Sequence, residues 1–109
     1  MHRDLKPANI LIHFTDIAEG EEIKDTAEYC KAFDFKHNHQ SMVVKIADLG
    51  LAKIVVGDDK ARTFCGSPSF MAPELFDHFY YDHSADTWSL GVIYYYMLVG
   101  VVPFSVESK

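Results

Sequence analysis

From Trp88 to Phe104 the chain runs 17 residues without a single charge, broken only by Ser89, Gly91, Gly100 and Pro103. A bilayer-spanning helix needs about 20 consecutive apolar residues, so this run is expected to be a buried helix rather than a membrane anchor. Asp82 or Ser84 can cap its start, Thr87 to about Val99 form the body, and Gly100 and Pro103 stop it. Apart from Ser89 and the hydroxyls of Tyr94, Tyr95 and Tyr96, that helix is apolar on every face. A helix without a polar face needs packing partners all round. The other segments of these 109 residues offer few, so the expectation is that the rod belongs to a larger fold.

Ahead of it lie shorter elements. Asn9-Ile10-Leu11-Ile12 reads as a strand entered from a loop, and Met42 to Ala47 as a second strand. Asp48-Leu49-Gly50 is a turn, residues 54–70 are a long loop, and Pro73-Glu74 can open a short helix. Residues 13–42 differ in character. They are polar and charged, hold His13, His37 and His39, and place Ile23, Ala27, Cys30 and Phe33 near helical spacing. His37 and His39 are expected in a solvated loop rather than on a metal. The mixture is α+β, mainly helical, with a short β-hairpin.

Charge and cysteine usage exclude several classes. Ten basic residues against sixteen acidic ones give a net charge of −6, which argues against nucleic acid or an anionic membrane as partner. Cys30 and Cys65 form no C-x-x-C pair, so neither a disulfide framework nor a zinc knuckle is expected, and a reduced compartment fits. The start at Met1-His2-Arg3-Asp4 carries no apolar signal segment, and the expected location is cytoplasmic.

Chemistry concentrates at His2-Arg3-Asp4-Leu5-Lys6-Pro7-Ala8-Asn9. A carboxylate, a lysine two places on and an amide five places on are the groups phosphoryl transfer needs. One accepts the proton of an attacking hydroxyl, one meets the charge on the γ-phosphate, and one offers an oxygen to Mg²⁺. Asp48, just before Leu49-Gly50, is a second hard oxygen donor of the kind Mg²⁺ prefers.

Four motifs in order resemble the protein kinase family, serine/threonine type. They are His2-Arg3-Asp4 with Asn9, Asp48-Leu49-Gly50, Ala72-Pro73-Glu74, and Asp86-Thr87-Trp88-Ser89-Leu90-Gly91, joined by the long match Gly66-Ser67-Pro68-Ser69-Phe70-Met71. The resemblance implies a partial kinase domain over residues 1–109, running from the catalytic loop to the central helix of the C-lobe. It implies ATP and Mg²⁺ as cofactors and a protein Ser/Thr acceptor as substrate. Asp4 resembles the catalytic base and Lys6 the lysine that meets the γ-phosphate. Leu5-Lys6-Pro7 points to Ser/Thr rather than Tyr acceptors. Asn9 and Asp48 resemble the Mg²⁺ ligands, and Ser67 the hydroxyl that links the substrate loop to Asp4 and Lys6. Thr63 resembles the activating phosphosite, with Arg3 and Lys53 as the cations that meet its about −1.5 to −2 charges. His2 resembles a packed spine residue. Asp86 resembles a helix carboxylate bonded to the backbone around His2 and Arg3. Glu74 resembles the carboxylate that pairs with an arginine further downstream.

The pattern departs from the family in four places. Leu49 replaces the usual phenylalanine, and Tyr96 stands where many relatives carry a glutamate that binds substrate arginines. Asn9 and Asp48 are 39 positions apart, so residues 13–42 are expected to be an insertion at a hairpin tip, where closure entropy grows slowly with length, or a retained intron translated in frame, which would look the same. No G-x-G-x-x-G occurs. Without the glycine-rich loop and strand lysine that clamp the nucleotide, the isolated chain is expected to have little or no activity. The alternative is a non-catalytic, kinase-like interaction module.

Overall fold

Short apolar runs, turn chemistry and one long apolar rod set the architecture. The computed structural model describes residues 1–18, 20–34, 36, 39–56, 61–77 and 80–104. They divide into two compact units, one of Met1–Ile10 with the chain from Ala47 onward, the other of Leu11–Ile46.

The second unit is built on two strands, β1 (Ile10–Phe14) and β2 (Met42–Ile46), which pair as a two-stranded sheet. Thr15 N–H donates to Ser41 O at 2.8 Å, and Ala47 N–H donates to Asn9 O at 2.9 Å. Numbers rise along one strand as they fall along the other, so the pair is antiparallel. Between them stands α1 (Thr26–Ala32), capped by Asp25, whose carboxylate accepts Glu28 N–H at 2.9 Å. Phe14, Tyr29 and Phe33 form its core, with ring centroids 4.8, 4.9 and 6.0 Å apart. Of the four positions expected to face inward, Phe33 is buried, Ile23 and Cys30 are half-buried, and Ala27 is exposed. Tyr29 and Phe14 take the place of the missing contact. His37 lies outside the described residues.

In the first unit the rod is α3 (Ser84–Val99). Neither expected residue is its cap: His83 holds that position without a side-chain cap bond, Ser84 is the first helical residue, and Asp82, one place before the cap, accepts Ser84 N–H at 2.8 Å. Gly100 ends it in the left-handed region (φ 82°) and donates its N–H to Tyr96 O at 2.8 Å. Ala85, Ser89, Val92 and Ile93 are its buried residues, a single stripe at helical spacing. Leu90, Tyr94, Met97 and Leu98 are exposed. The helix thus buries one face against its own unit. Among the described residues no helix is long and apolar enough to cross a membrane.

The core of this unit joins Ala61, Met71, Ala72, Leu75, Tyr81 and Ala85. Leu75 belongs to α2 (Glu74–Asp77), which follows Pro73 as its sequence suggests. The expected long loop is not featureless where described. Ala61 and Tyr81 form an antiparallel bridge, and Pro68–Phe70 make a 3₁₀ turn. Ser89 Oγ lies 2.7 Å from Phe70 O and 3.1 Å from Ala85 O, so its one proton ties that turn to α3.

Candidate functional site

Residues 2–9 form a loop that closes in the 3₁₀ turn Pro7–Asn9, while its start is held from outside. Arg3 sits in the left-handed region at φ 72°, a conformation that is costly for a residue with a long side chain. Asp86, in the first turn of α3, supplies the restraint. Its Oδ2 accepts His2 N–H at 2.7 Å and its Oδ1 accepts Arg3 N–H at 2.9 Å. The buried His2 ring bridges two backbone groups. Asp4 N–H lies 3.3 Å from Nδ1 and Ala47 O lies 2.9 Å from Nε2. Both contacts are satisfied together when Nε2 carries the proton.

Lys6, Asp4 and Ser67 close a triangle. Lys6 Nζ donates to Asp4 Oδ2 at 2.8 Å and to Ser67 Oγ at 3.0 Å, and Ser67 Oγ donates to Asp4 Oδ1 at 2.8 Å. Asn9 Nδ2 adds donors to Asp4 O at 2.9 Å and to Asp4 Oδ2 at 3.3 Å. Burial alone would raise the Asp4 pKa, but the Lys6 ammonium and the Ser67 hydroxyl outweigh it and hold the carboxyl below its ordinary value. Asp4 is therefore an ionised carboxylate at neutral pH, able to accept a proton, beside a cation able to meet an anion. The chain reaches this geometry because the 3₁₀ turn Pro7–Asn9 folds Asn9 back onto the loop.

Asp48 takes a left-handed turn (φ 62°, ψ 72°), and its carboxylate accepts Gly50 N–H at 3.3 Å. It is exposed and follows Ala47, whose N–H is bonded to Asn9 O. With Nδ2 committed to Asp4, Asn9 keeps Oδ1 for another partner. Asn9 Oδ1 and the Asp48 carboxylate are hard oxygens, and their chemistry fits Mg²⁺, which takes one or two protein oxygens and keeps several waters. No group of three or more His, Cys, Asp or Glu suited to a metal ion occurs among the described residues.

The remaining expected residues have contacts of their own. Arg3 donates through Nε to Leu51 O and through Nη1 to the Tyr81 hydroxyl at 3.4 Å. Thr63 is exposed, and its carbonyl accepts the Tyr81 hydroxyl at 2.6 Å, so Tyr81 stands between Arg3 and Thr63. Lys53 is exposed and bonded through its backbone to Met1 in both directions at 2.9 Å. Glu74 opens α2 and is half-buried. Two features escaped the sequence. Tyr81 belongs to none of the motifs. Gly66, at φ 114°, lies so close to the loop that a Cβ would come within 2.6 Å of Arg3 O.

The family described as Protein kinase domain matches residues 1–109. A probable myosin light chain kinase of Dictyostelium discoideum is 40% identical over 107 residues, covering 98% of this chain and 22% of that protein. The serine/threonine-protein kinase ULK1 of Homo sapiens is 39% identical over 108 residues, covering 99% of this chain and 9% of that protein. The serine/threonine-protein kinase ATG1 of Komagataella pastoris is 36% identical over 108 residues, with coverages of 99% and 12%. The chain spans less than a quarter of the length of these three relatives. By the match along its whole length, the chain belongs to the protein kinase domain family.

Proposed function

We propose that this chain is the C-lobe segment, from catalytic loop to central helix, of a protein serine/threonine kinase that transfers the γ-phosphate of ATP to protein Ser or Thr hydroxyls. The observation that carries the reading is the triangle of Lys6, Asp4 and Ser67. Asp4 accepts the proton of the acceptor hydroxyl as its oxygen bonds to the γ-phosphorus and the bond to ADP breaks. Lys6 holds Asp4 in place and meets the negative charge on the transferred group. Ser67 fixes the substrate loop to both. Asn9 and Asp48 would hold Mg²⁺, which when bound neutralises charge on the phosphates.

Thr63 is the proposed activating phosphosite, and Arg3 and Lys53 the cations that would meet its phosphate. Residues 13–42 are proposed as an insertion. Support comes from the separate unit Leu11–Ile46 with its own aromatic core, and from the backbone bond between Ala47 and Asn9, which lie outside that unit.

The test uses the full-length protein. Asp4→Asn should lower kcat on a protein acceptor by about 10²–10⁴-fold without loss of fold. The product should contain phosphoserine or phosphothreonine. Full activity in Asp4→Asn, or phosphotyrosine alone in the product, would remove the proposal.

A further inference from the structure

We propose that the Tyr81 hydroxyl is a positioning group that clasps residues 61–65 to the catalytic loop, presetting the segment on which the protein acceptor docks. The inference rests on the kinase reading above and names a residue that reading does not use.

Tyr81 is 4% exposed, yet its phenol oxygen has three polar neighbours. They are Thr63 O at 2.6 Å, Arg3 Nη1 at 3.4 Å and Cys65 Sγ at 3.7 Å. Chemistry fixes the directions. A carbonyl only accepts, so the phenol proton goes to Thr63 O. A guanidinium only donates, so Arg3 gives to the phenol oxygen. With its one proton committed, the phenol can only accept from the Cys65 thiol. Burial raises the Tyr81 pKa, which keeps the phenol protonated and the bond to Thr63 intact at neutral pH.

The same residue holds the segment through its backbone. Ala61 N–H donates to Tyr81 O at 2.8 Å and Tyr81 N–H to Ala61 O at 3.1 Å, and Ala61 is fully buried. Downstream, Gly66 packs against Arg3 O, and Ser67 is bonded to Asp4 and Lys6. Positions 61, 63, 66 and 67 are therefore each fastened, Thr63 through its carbonyl to the Tyr81 hydroxyl. Without that hydroxyl the middle keeps, among the described residues, only side-chain contacts at the surface, the exposed Arg62 over the Tyr80 ring at 4.7 Å and the exposed Phe64 against Phe76 at 5.7 Å, and the backbone at Thr63 loses its bond to Tyr81. A residue serving only as core would need its ring and not its oxygen.

Tyr81→Phe in the full-length protein separates these roles, with Tyr80→Phe on the exposed neighbour as control. Trypsin cleavage after Arg62 should accelerate about tenfold, relative to cleavage after Lys31 and Lys36, as one buried hydrogen-bond pair is lost locally. The KM for the protein acceptor should rise by a similar factor, while the KM for ATP stays unchanged. Equal acceleration at all three sites, no acceleration, or faster cleavage with an unchanged acceptor KM would each overturn the proposal. So would loss of the fold, since the hydroxyl would then be a general structural element. Selective acceleration after Arg62 in a protein with no kinase activity would leave the clasp standing and remove the kinase reading, and with it the docking role.

Discussion

Asp86 and Arg3 lie 83 positions apart and meet at 2.9 Å, the carboxylate accepting the backbone N–H of a residue held at φ 72°. The contact joins the first turn of α3 to the residue before Asp4, and the neighbouring oxygen of the same carboxylate takes His2 N–H. A strained backbone persists only where its surroundings restrain it. Here that restraint is one side chain.

Asp86→Ala should therefore destabilise the protein by about 2–4 kcal/mol, since two N–H groups lose a charged acceptor and the left-handed turn loses its support. Asp86→Asn should cost less than alanine but should not restore the wild-type value, because only one of its two terminal atoms accepts. Urea unfolding of the three proteins gives the ranking.

Gly66→Ala and Gly91→Ala should move stability in opposite directions. At Gly66 a methyl group meets Arg3 O at 2.6 Å on a backbone with φ 114°, and the loss should be about 1–3 kcal/mol. At Gly91, inside α3, a Cβ has no neighbour within 4 Å, and alanine should gain about 0.5–1 kcal/mol of helix stability. Thermal midpoints of the two variants test the contrast.

Asp4 should show its environment in acid. Its folded pKa lies below the ordinary value of 3.8, so its contribution to stability is complete above that value and is lost as pH falls through the folded pKa. In Lys6→Met the ammonium is gone and burial acts against fewer opponents, so the Asp4 pKa should rise. Carbon-13 titration of the Asp4 carboxyl in both proteins measures the change.

Replacing residues 15–41 with Asn-Gly should leave phosphoryl transfer intact in the full-length protein. The two residues fit a tight turn between antiparallel β1 and β2. The Ala47–Asn9 bond and the contacts of Asp4 lie outside the excised stretch. Loss of activity with retained fold would show that the Leu11–Ile46 unit contributes to the reaction.

The sequence exposes those features that local pattern dictates. The two strands, the short helix after Pro73 and the stop at Gly100 follow from apolar runs and turn residues, and the structure contains each. The spacing of Asp4, Lys6 and Asn9 marks a polar loop, but the triangle with Ser67 is visible only because the motifs resemble a family. Other features have no local signal. An apolar rod announces burial without saying which stripe is covered first, and α3 covers only Ala85, Ser89, Val92 and Ile93. Asp82 and Ser84 are both good caps by residue type, yet His83 between them takes the cap position, and Asp82 reaches Ser84 N–H from one place earlier. Arginine has no preference for a left-handed backbone, so the turn at Arg3 is set by Asp86 from far along the chain. Tyr81 is hidden for the opposite reason: aromatic residues signal packing so strongly that a working hydroxyl on one leaves no mark.

The grip of Asp86 on positions 2 and 3 is made to peptide hydrogens and not to side chains. Such a fastening is blind to residue identity. Histidine and arginine there are free to be chosen for what their heads do, one on Ala47 O and the other on Leu51 O and Tyr81. Proline alone, having no hydrogen to give, would slip the hold at either place, and glycine at position 3 would wear the turn with the least strain.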